Sequence, residues 1–230
     1  PPEISASVVV VADGGRSRCR DEVGAGWRPR AGRASYAMAD AVDATPDARA
    51  VLHCEPEGLV ESFPLPGGRR RWVVRDTGSG VLGSIEDFRA AIQMRTGIDL
   101  ELAPDLKPAS FVAAQHTATR LHRGRIVLLG DAAHEVSPIG GQGMNLGWMD
   151  AVRLAAELAR VLPSRTPDFS AFAREAHRSA ARAQRRSSFY MSMGAPASAT
   201  IVRGRELLMR ALGSAPLRGW TAGLLTMRGL

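Results

Sequence analysis

Residues 125–145, RIVLLGDAAHEVSPIGGQGMN, constrain the fold more than any other stretch of the 230-residue chain. An apolar strand pattern breaks on Gly130 and Asp131, and a proline and three glycines then lead into a helical pattern. A buried strand followed by a glycine-rich turn and a helix belongs to an α/β sheet, where ligands are met outside the carboxyl ends of the strands. Asp131 would project there as an acceptor-only carboxylate suited to ligand hydroxyls. Ala132 and Ala133 leave room beside it. Pro138 fixes the chain direction and pushes Ser137 toward an extended conformation. Gly140, Gly141 and Gly143 let bare backbone approach a flat surface, just where the next helix offers unpaired N–H groups and partial positive charge. The implied ligand has hydroxyls and a flat polar ring that takes up negative charge.

A second turn of this kind follows VVVVA at residues 8–12, a β-branched run of the sort buried on both faces of a sheet. Asp13, Gly14 and Gly15 would lie at its carboxyl end, with Arg20 placed to complement a diphosphate. Alone, the same residues also describe a strand closing in a turn. A third candidate, GSGVLG at 78–83, matches a Gly-x-Gly-x-x-Gly fingerprint, with Asp99 at about the expected distance beyond it. The strand before it is polar and hairpin-like, and no βαβ unit follows, so a plain sheet-to-helix connection is expected.

Between these turns, residues 24–36 lack periodicity and read as a loop. Strand patterns at 50–55, 59–65 and 70–75 are separated by Glu57-Gly58 and Pro66-Gly67-Gly68, which predicts antiparallel hairpins. Ser84 with Asp87 signals a helix start, Ile85, Phe88 and Ile92 share one helical face, and Gly97 ends it. A strand is expected at 110–114, and helices at about 143–162, from Asp168 to about 191, and at about 200–212.

The net charge of +7 raises the question of nucleic acid, with Arg69, Arg70 and Arg71 as the obvious patch. The basic residues are scattered among acidic ones, Lys107 is the only lysine, and stacking aromatics are scarce, so no nucleic-acid partner is expected. No apolar run reaches membrane-spanning length and no secretory signal opens the chain, which predicts a cytoplasmic protein without stable membrane insertion. Cys19 and Cys54 lack metal-ligand spacing; reduced thiols and no metal are expected. His53, His116 and His122 carry no assignment beyond surface or packing roles.

GDAAHEVSPIGGQGMN resembles the Gly-Asp flavin motif of class A FAD-dependent aromatic monooxygenases, the group of p-hydroxybenzoate hydroxylase and the ubiquinone-biosynthesis hydroxylases, and ADGGRSRCR resembles their Asp-Gly motif. The resemblance covers the carboxyl-terminal two thirds of that architecture. It implies a mixed α/β (α+β) fold: an incomplete Rossmann-like FAD-binding domain, an inserted antiparallel-sheet substrate domain, and carboxyl-terminal helices. Residues 1–30 and 116–165 would belong to the FAD-binding domain, 31–115 to the substrate domain and 166–230 to the helices.

The same resemblance implies that Asp131 binds the ribityl hydroxyls of FAD. Pro138 and His134 would lie near the reactive edge of the ring, Gly143, Met144 and Asn145 would present backbone to its pyrimidine end, and Gly141 would also bind the cofactor. Asp13 and Arg20 would lie near the diphosphate and contribute to NAD(P)H use. The chemistry implied is hydroxylation of a small phenolic or polycyclic aromatic substrate by NAD(P)H and O2 through a flavin C4a-hydroperoxide. The flavin carries it, so no catalytic side chain is assigned.

The departure from the family pattern lies before Asp13, where no Gly-x-Gly-x-x-Gly unit is present to hold the adenylate half. With Pro1 in place of methionine, this reads as a fragment or processed chain whose partner is the missing FAD-binding segment, and the isolated chain is expected to retain FAD weakly. Three alternatives stay open: a non-catalytic remnant or interaction module of the same fold, a flavin reductase, or a halogenase. The last needs a lysine for hypohalous acid, and Lys107 has no supporting motif.

Overall fold

The computed structural model describes residues 3–43, 48–78, 81–103, 105–139, 141, 143–164, 166–217 and 219. In chain order its elements are β1 (Val9–Val11), β2 (Trp27–Pro29), β3 (Ala34–Val42), β4 (Val51–Glu55), β5 (Gly58–Leu65), β6 (Arg69–Asp76), α1 (Ile85–Thr96), β7 (Ala109–Ala113), β8 (His116–Ala118), β9 (His122–Arg123), β10 (Ile126–Leu128), β11 (His134–Glu135), α2 (Gly143–Val161), α3 (Ser170–Met193) and α4 (Ala199–Gly213). The fold is mixed α/β, with antiparallel sheets and carboxyl-terminal helices. Two compact units divide the chain, one taking described residues of 1–32 and 114–189, the other those of 33–113 and 190–226.

In the first unit β1 and β10 pair in parallel, Val9 opposite Ile126 and Val11 opposite Leu128, and β9 adds antiparallel to the far side of β10. Parallel pairing sends both strands to one carboxyl edge although the turns that follow them lie far apart in sequence. Val127 and Leu128 are fully buried and share a core with Val11, Ala132, Leu154, Phe169 and Phe172. Each large side chain so buried contributes about 1.5–3 kcal/mol.

The expectation that residues 8–12 are buried on both faces is corrected here: Val9 is 48% and Val10 40% exposed. These neighbours point to opposite faces of β1, the edge strand of its three-stranded sheet among the described residues, so neither face is covered there. A second small sheet runs in the order β11-β8-β2. The expected loop over 24–36 therefore contains β2 and the start of β3.

α2 presents Leu146, Asp150, Leu154 and Val161 to the interior, close to the one-turn spacing of a single helical face. α3 starts where Asp168 Oδ1 accepts the Ser170 N–H at 2.9 Å.

The second unit is a five-stranded antiparallel sheet in the order β4-β5-β6-β3-β7. Its hairpins follow the turn chemistry read from sequence. β3, flanked by β6 and β7, escapes that reading because ASYAMADAV is rich in alanine and carries no β-branched residue before Val42. Those alanines have a packing role: Ala37, Ala39 and Ala41 share a core with Phe88, Ala91 and Ile92 of α1. α1 itself begins as expected, Ser84 Oγ accepting the Asp87 N–H at 3.1 Å, and ends at Gly97 with φ 73°.

The three arginines at 69–71 do not form a free basic patch. Arg70 is buried against Asp43 at 3.1 Å, and Arg71 forks onto Asp40 at 2.7 and 2.9 Å. In GSGVLG, residues 79–80 lie outside the described residues, and Val81–Gly83 form a short 3-10 turn. Asp99 is held by Arg89 at 2.7 and 2.9 Å, an arrangement that leaves the fingerprint without its acidic partner.

Glu61 on β5 is buried and accepts no hydrogen bond among the described residues, and burial pushes its carboxyl up to about 7. An acid with a raised folded-state pKa favours the protonated form, so stability falls as pH rises from the unfolded value of about 4.3 toward 7. Glu61→Gln should flatten that slope and stabilise the protein by about 2 kcal/mol at pH 8. Urea unfolding of both forms across this pH range measures it, and parallel pH profiles would exclude Glu61 as the source.

Candidate functional site

The site is built on the parallel edge. After β10, Gly130 adopts φ 60° and starts a single 3-10 turn, Gly130–Ala132, which turns Asp131 outward while Ala132 and Ala133 pack inward. Asp131 is exposed, and among the described residues its carboxylate accepts no hydrogen bond. Desolvation from the protein behind it raises its pKa above the ordinary value, with His134 opposing and Glu135 adding to the rise. An acceptor left without a donor at a sheet edge is equipped for hydroxyl groups.

The chain then passes through β11 to Pro138, which is exposed. The Pro138 carbonyl accepts the Gly141 N–H at 2.9 Å, and Gly141 takes φ 64°, a conformation in which a side chain is strained. α2 begins at Gly143 with no acidic residue in its first turn, so nothing there offsets the positive end of the helix. Met144 is 66% exposed and Asn145 is also at the surface. α2 lies close against the turn: a Cβ on Gly147 would touch the Gly130 Cα at 3.6 Å.

The turn after β1 lies at the same edge. Asp13 is exposed, but its Oδ2 accepts the N–H groups of Arg18 at 3.0 Å and Cys19 at 3.3 Å. The Ser17 hydroxyl is the main influence holding its carboxyl below the ordinary range, and the two backbone donors add to it. Asp13 thus shapes its own turn. Arg20, expected beside a diphosphate, is buried: Nε donates to the Ala132 carbonyl at 2.9 Å, a terminal nitrogen donates to Gly15 at 2.8 Å, and the guanidinium lies 3.5 Å over Trp27. Its hydrogen bonds join the two turns directly.

His134 also departs from expectation. It is 1% exposed, with Nε2 2.6 Å from Asp150 Oδ2, so it faces α2 and not the outer surface of the turn. An ionised carboxylate only accepts, which assigns the Nε2 proton to His134. Asp150 Oδ1 receives Arg153 at 3.2 Å, and Arg153 donates to Ser179 of α3 at 3.0 Å.

Sequence reading missed the supports behind the turn. Gln184 of α3 donates to the carbonyls of His116 and Glu135 at 2.8 and 3.0 Å and receives the Thr117 hydroxyl at 3.1 Å. Ser187 donates to the Ile139 carbonyl at 2.8 Å, and Gln115 accepts the Ser137 N–H at 3.4 Å. Trp27 stacks on His116, whose Nδ1 is 2.6 Å from Glu135. Asp150 was missed as well, although a carboxylate one turn from Leu146 and one turn from Leu154 on the apolar face of a helix is a signal that could have found it. No cluster of metal-ligating residues occurs among the described residues.

Two glycine-bearing turns at one carboxyl edge, an open carboxylate and a helix whose first turn carries no acidic residue define an α/β unit of the cofactor-binding class. The sequence fits one such family: a model described as FAD binding domain matches residues 2–187, and the chain belongs to this family.

Ubiquinone hydroxylase UbiL of Rhodospirillum rubrum is 33% identical over 161 residues, covering 67% of this chain and 38% of that protein. The 3-(3-hydroxy-phenyl)propionate/3-hydroxycinnamic acid hydroxylase of Burkholderia cenocepacia is 31% identical over 164 residues, covering 70% and 30%. Among solved structures, BexE superposes with a TM-score of 0.71 at 28% identity, covering 96% of this chain and 47% of that one. The chain therefore spans about a third of these curated relatives' length and about half of the solved structure.

Proposed function

We propose that the chain supplies the ring end of an FAD site in a monooxygenase that uses NAD(P)H and O2 to hydroxylate a phenolic or polycyclic aromatic substrate in the cytoplasm. One observation carries this reading. The parallel β1–β10 pair brings both motif turns to one edge, where the Asp131 carboxylate is exposed and accepts no hydrogen bond among the described residues.

The residues present fit the cofactor. Asp131 would receive the ribityl hydroxyls, Pro138 would lie at the reactive edge of the ring, Gly143, Met144 and Asn145 would meet its pyrimidine end, and Gly141 would also bind the cofactor. The start of α2, free of acidic side chains, favours the electron-rich form of that end. Asp13 and Arg20 would act near the diphosphate, Arg20 by fixing the carbonyls of Gly15 and Ala132. Bound flavin would supply the redox chemistry and the activation of oxygen.

Residues 1–30 and 116–165 would form the FAD-binding part, 31–115 the substrate part and 166–230 the carboxyl-terminal helices. The adenylate half of the cofactor would be held by a further FAD-binding segment.

The test is turnover by the flavin-loaded protein with NADH or NADPH, isotopically heavy O2 and a panel of phenols and polycyclic aromatics. Substrate-stimulated nucleotide oxidation with one heavy oxygen atom in the product is expected. Nucleotide oxidation with no oxygenated product across the panel would remove the monooxygenase reading.

A further inference from the structure

The first unit contains a hollow of about 270 Å³ lined by Arg28, Arg30, Thr117, Thr119 and His177, with two alanine methyl groups. None of these residues belongs to either motif turn. β2 pairs antiparallel with β8, Arg28 opposite Thr117, and Arg28 and Arg30, two residues apart, point to the same face. His177 and Ala181, one helical turn apart on α3, form the opposing wall.

The donors are arranged and incompletely used. Both arginines are exposed; Arg30 Nε is fixed by the Thr117 hydroxyl at 3.2 Å, whereas the Arg28 guanidinium makes no hydrogen bond or ion pair among the described residues. Thr119 Oγ1 accepts the Gly26 N–H at 2.9 Å, which leaves its own proton to donate. His177 Nε2 lies 3.1 Å from the Ala118 carbonyl; a carbonyl only accepts, so Nε2 holds the proton and Nδ1 is the atom that titrates.

Burial lowers the His177 pKa, the bond to Ala118 opposes this, and the charges of His134 and Arg30 lower it further. From α3, Arg174 and Arg178 flank it in sequence, and the nearby Glu175 is already paired with Arg178 and Arg182. From β11, His134 is paired with Asp150. No carboxylate is among the groups acting on His177.

We propose that this hollow is an anion site for a phosphoryl group, held between Arg28 and Arg30 with Thr119 as a further donor and with His177 donating when Nδ1 takes up a proton. Two guanidinium forks, one hydroxyl donor and one imidazole that can be protonated, approaching from a strand pair and a helix, suit an anion with oxygens in several directions better than a planar carboxylate. The volume is below the usual range for drug-sized ligands, so the hollow takes the phosphoryl group itself while any larger remainder stays outside. The site does not depend on the flavin reading.

Calorimetric titration of the protein with inorganic phosphate, ADP and malonate tests it. One-to-one saturable phosphate binding is expected. It should weaken by about tenfold or more in Arg28→Gln/Arg30→Gln. The charge-matched control Arg185→Gln/Arg203→Gln, which removes two exposed arginines outside the hollow, should stay within about twofold. Phosphate should also raise the His177 pKa, read from its ring resonances.

Equal affinity for phosphate and ADP identifies free phosphate as sufficient, and tighter ADP binding identifies the phosphoryl end of a larger ligand. Absence of saturable binding, equal weakening in both double variants, or tighter binding of malonate than phosphate overturns the assignment.

Discussion

Asp150→Leu is expected to destabilise the protein by about 3–5 kcal/mol in denaturant unfolding, the range for removing one partner of a buried charged pair. Leucine fits the helical face between Leu146 and Leu154, so the loss has an electrostatic origin more than a steric one. His134, 1% exposed, would keep a buried N–H donor without its acceptor, and Arg153 would lose the oxygen it meets at 3.2 Å. Asp150→Asn keeps an oxygen facing Nε2 and should cost about half as much. Replacing His134 and Asp150 together with apolar residues should recover much of the loss, because no orphaned group remains. A loss below about 1 kcal/mol in Asp150→Leu would mean that the pair does not fasten β11 to α2.

Gln184→Leu is expected to cost about 3 kcal/mol and to loosen the turn from behind. One side chain satisfies two carbonyls, His116 and Glu135, and one hydroxyl, Thr117, and leucine satisfies none of them. The loss should also have a location. Hydrogen exchange should accelerate in β8 and β11, whereas the sheet formed by β3–β7 should keep its protection. Uniform acceleration across the protein would contradict the local role given to Gln184.

Local chemistry made much of the fold legible. Ser84 with Asp87, Gly97, and Asp168 mark helix ends through interactions within a few residues, and the glycines at 67–68 mark a hairpin. β3 was hidden because its alanines favour a strand only where β6, β7 and the core shared with α1 are supplied by distant sequence. The burial assigned to residues 8–12 went wrong for the same reason: exposure of Val9 and Val10 depends on what packs over the two faces of β1, and not on their own β-branching.

The candidate site divides similarly. Its backbone features, the turn at Gly130, the Pro138–Gly141 turn and the helix start at Gly143, follow from residue type and order. The side-chain targets of Arg20 and His134 do not, since Ala132 O and Asp150 are tertiary partners that no spacing rule names.

The most direct test of the account is FAD affinity, followed by quenching of flavin fluorescence, in the wild type and Asp131→Ala. Asp131 is exposed and accepts no hydrogen bond among the described residues, so alanine should leave folding intact. Loss of a charge-assisted acceptor for ribityl hydroxyls predicts a Kd about tenfold to a hundredfold higher. An unchanged Kd in a folded Asp131→Ala protein would contradict the assignment of this turn to the flavin.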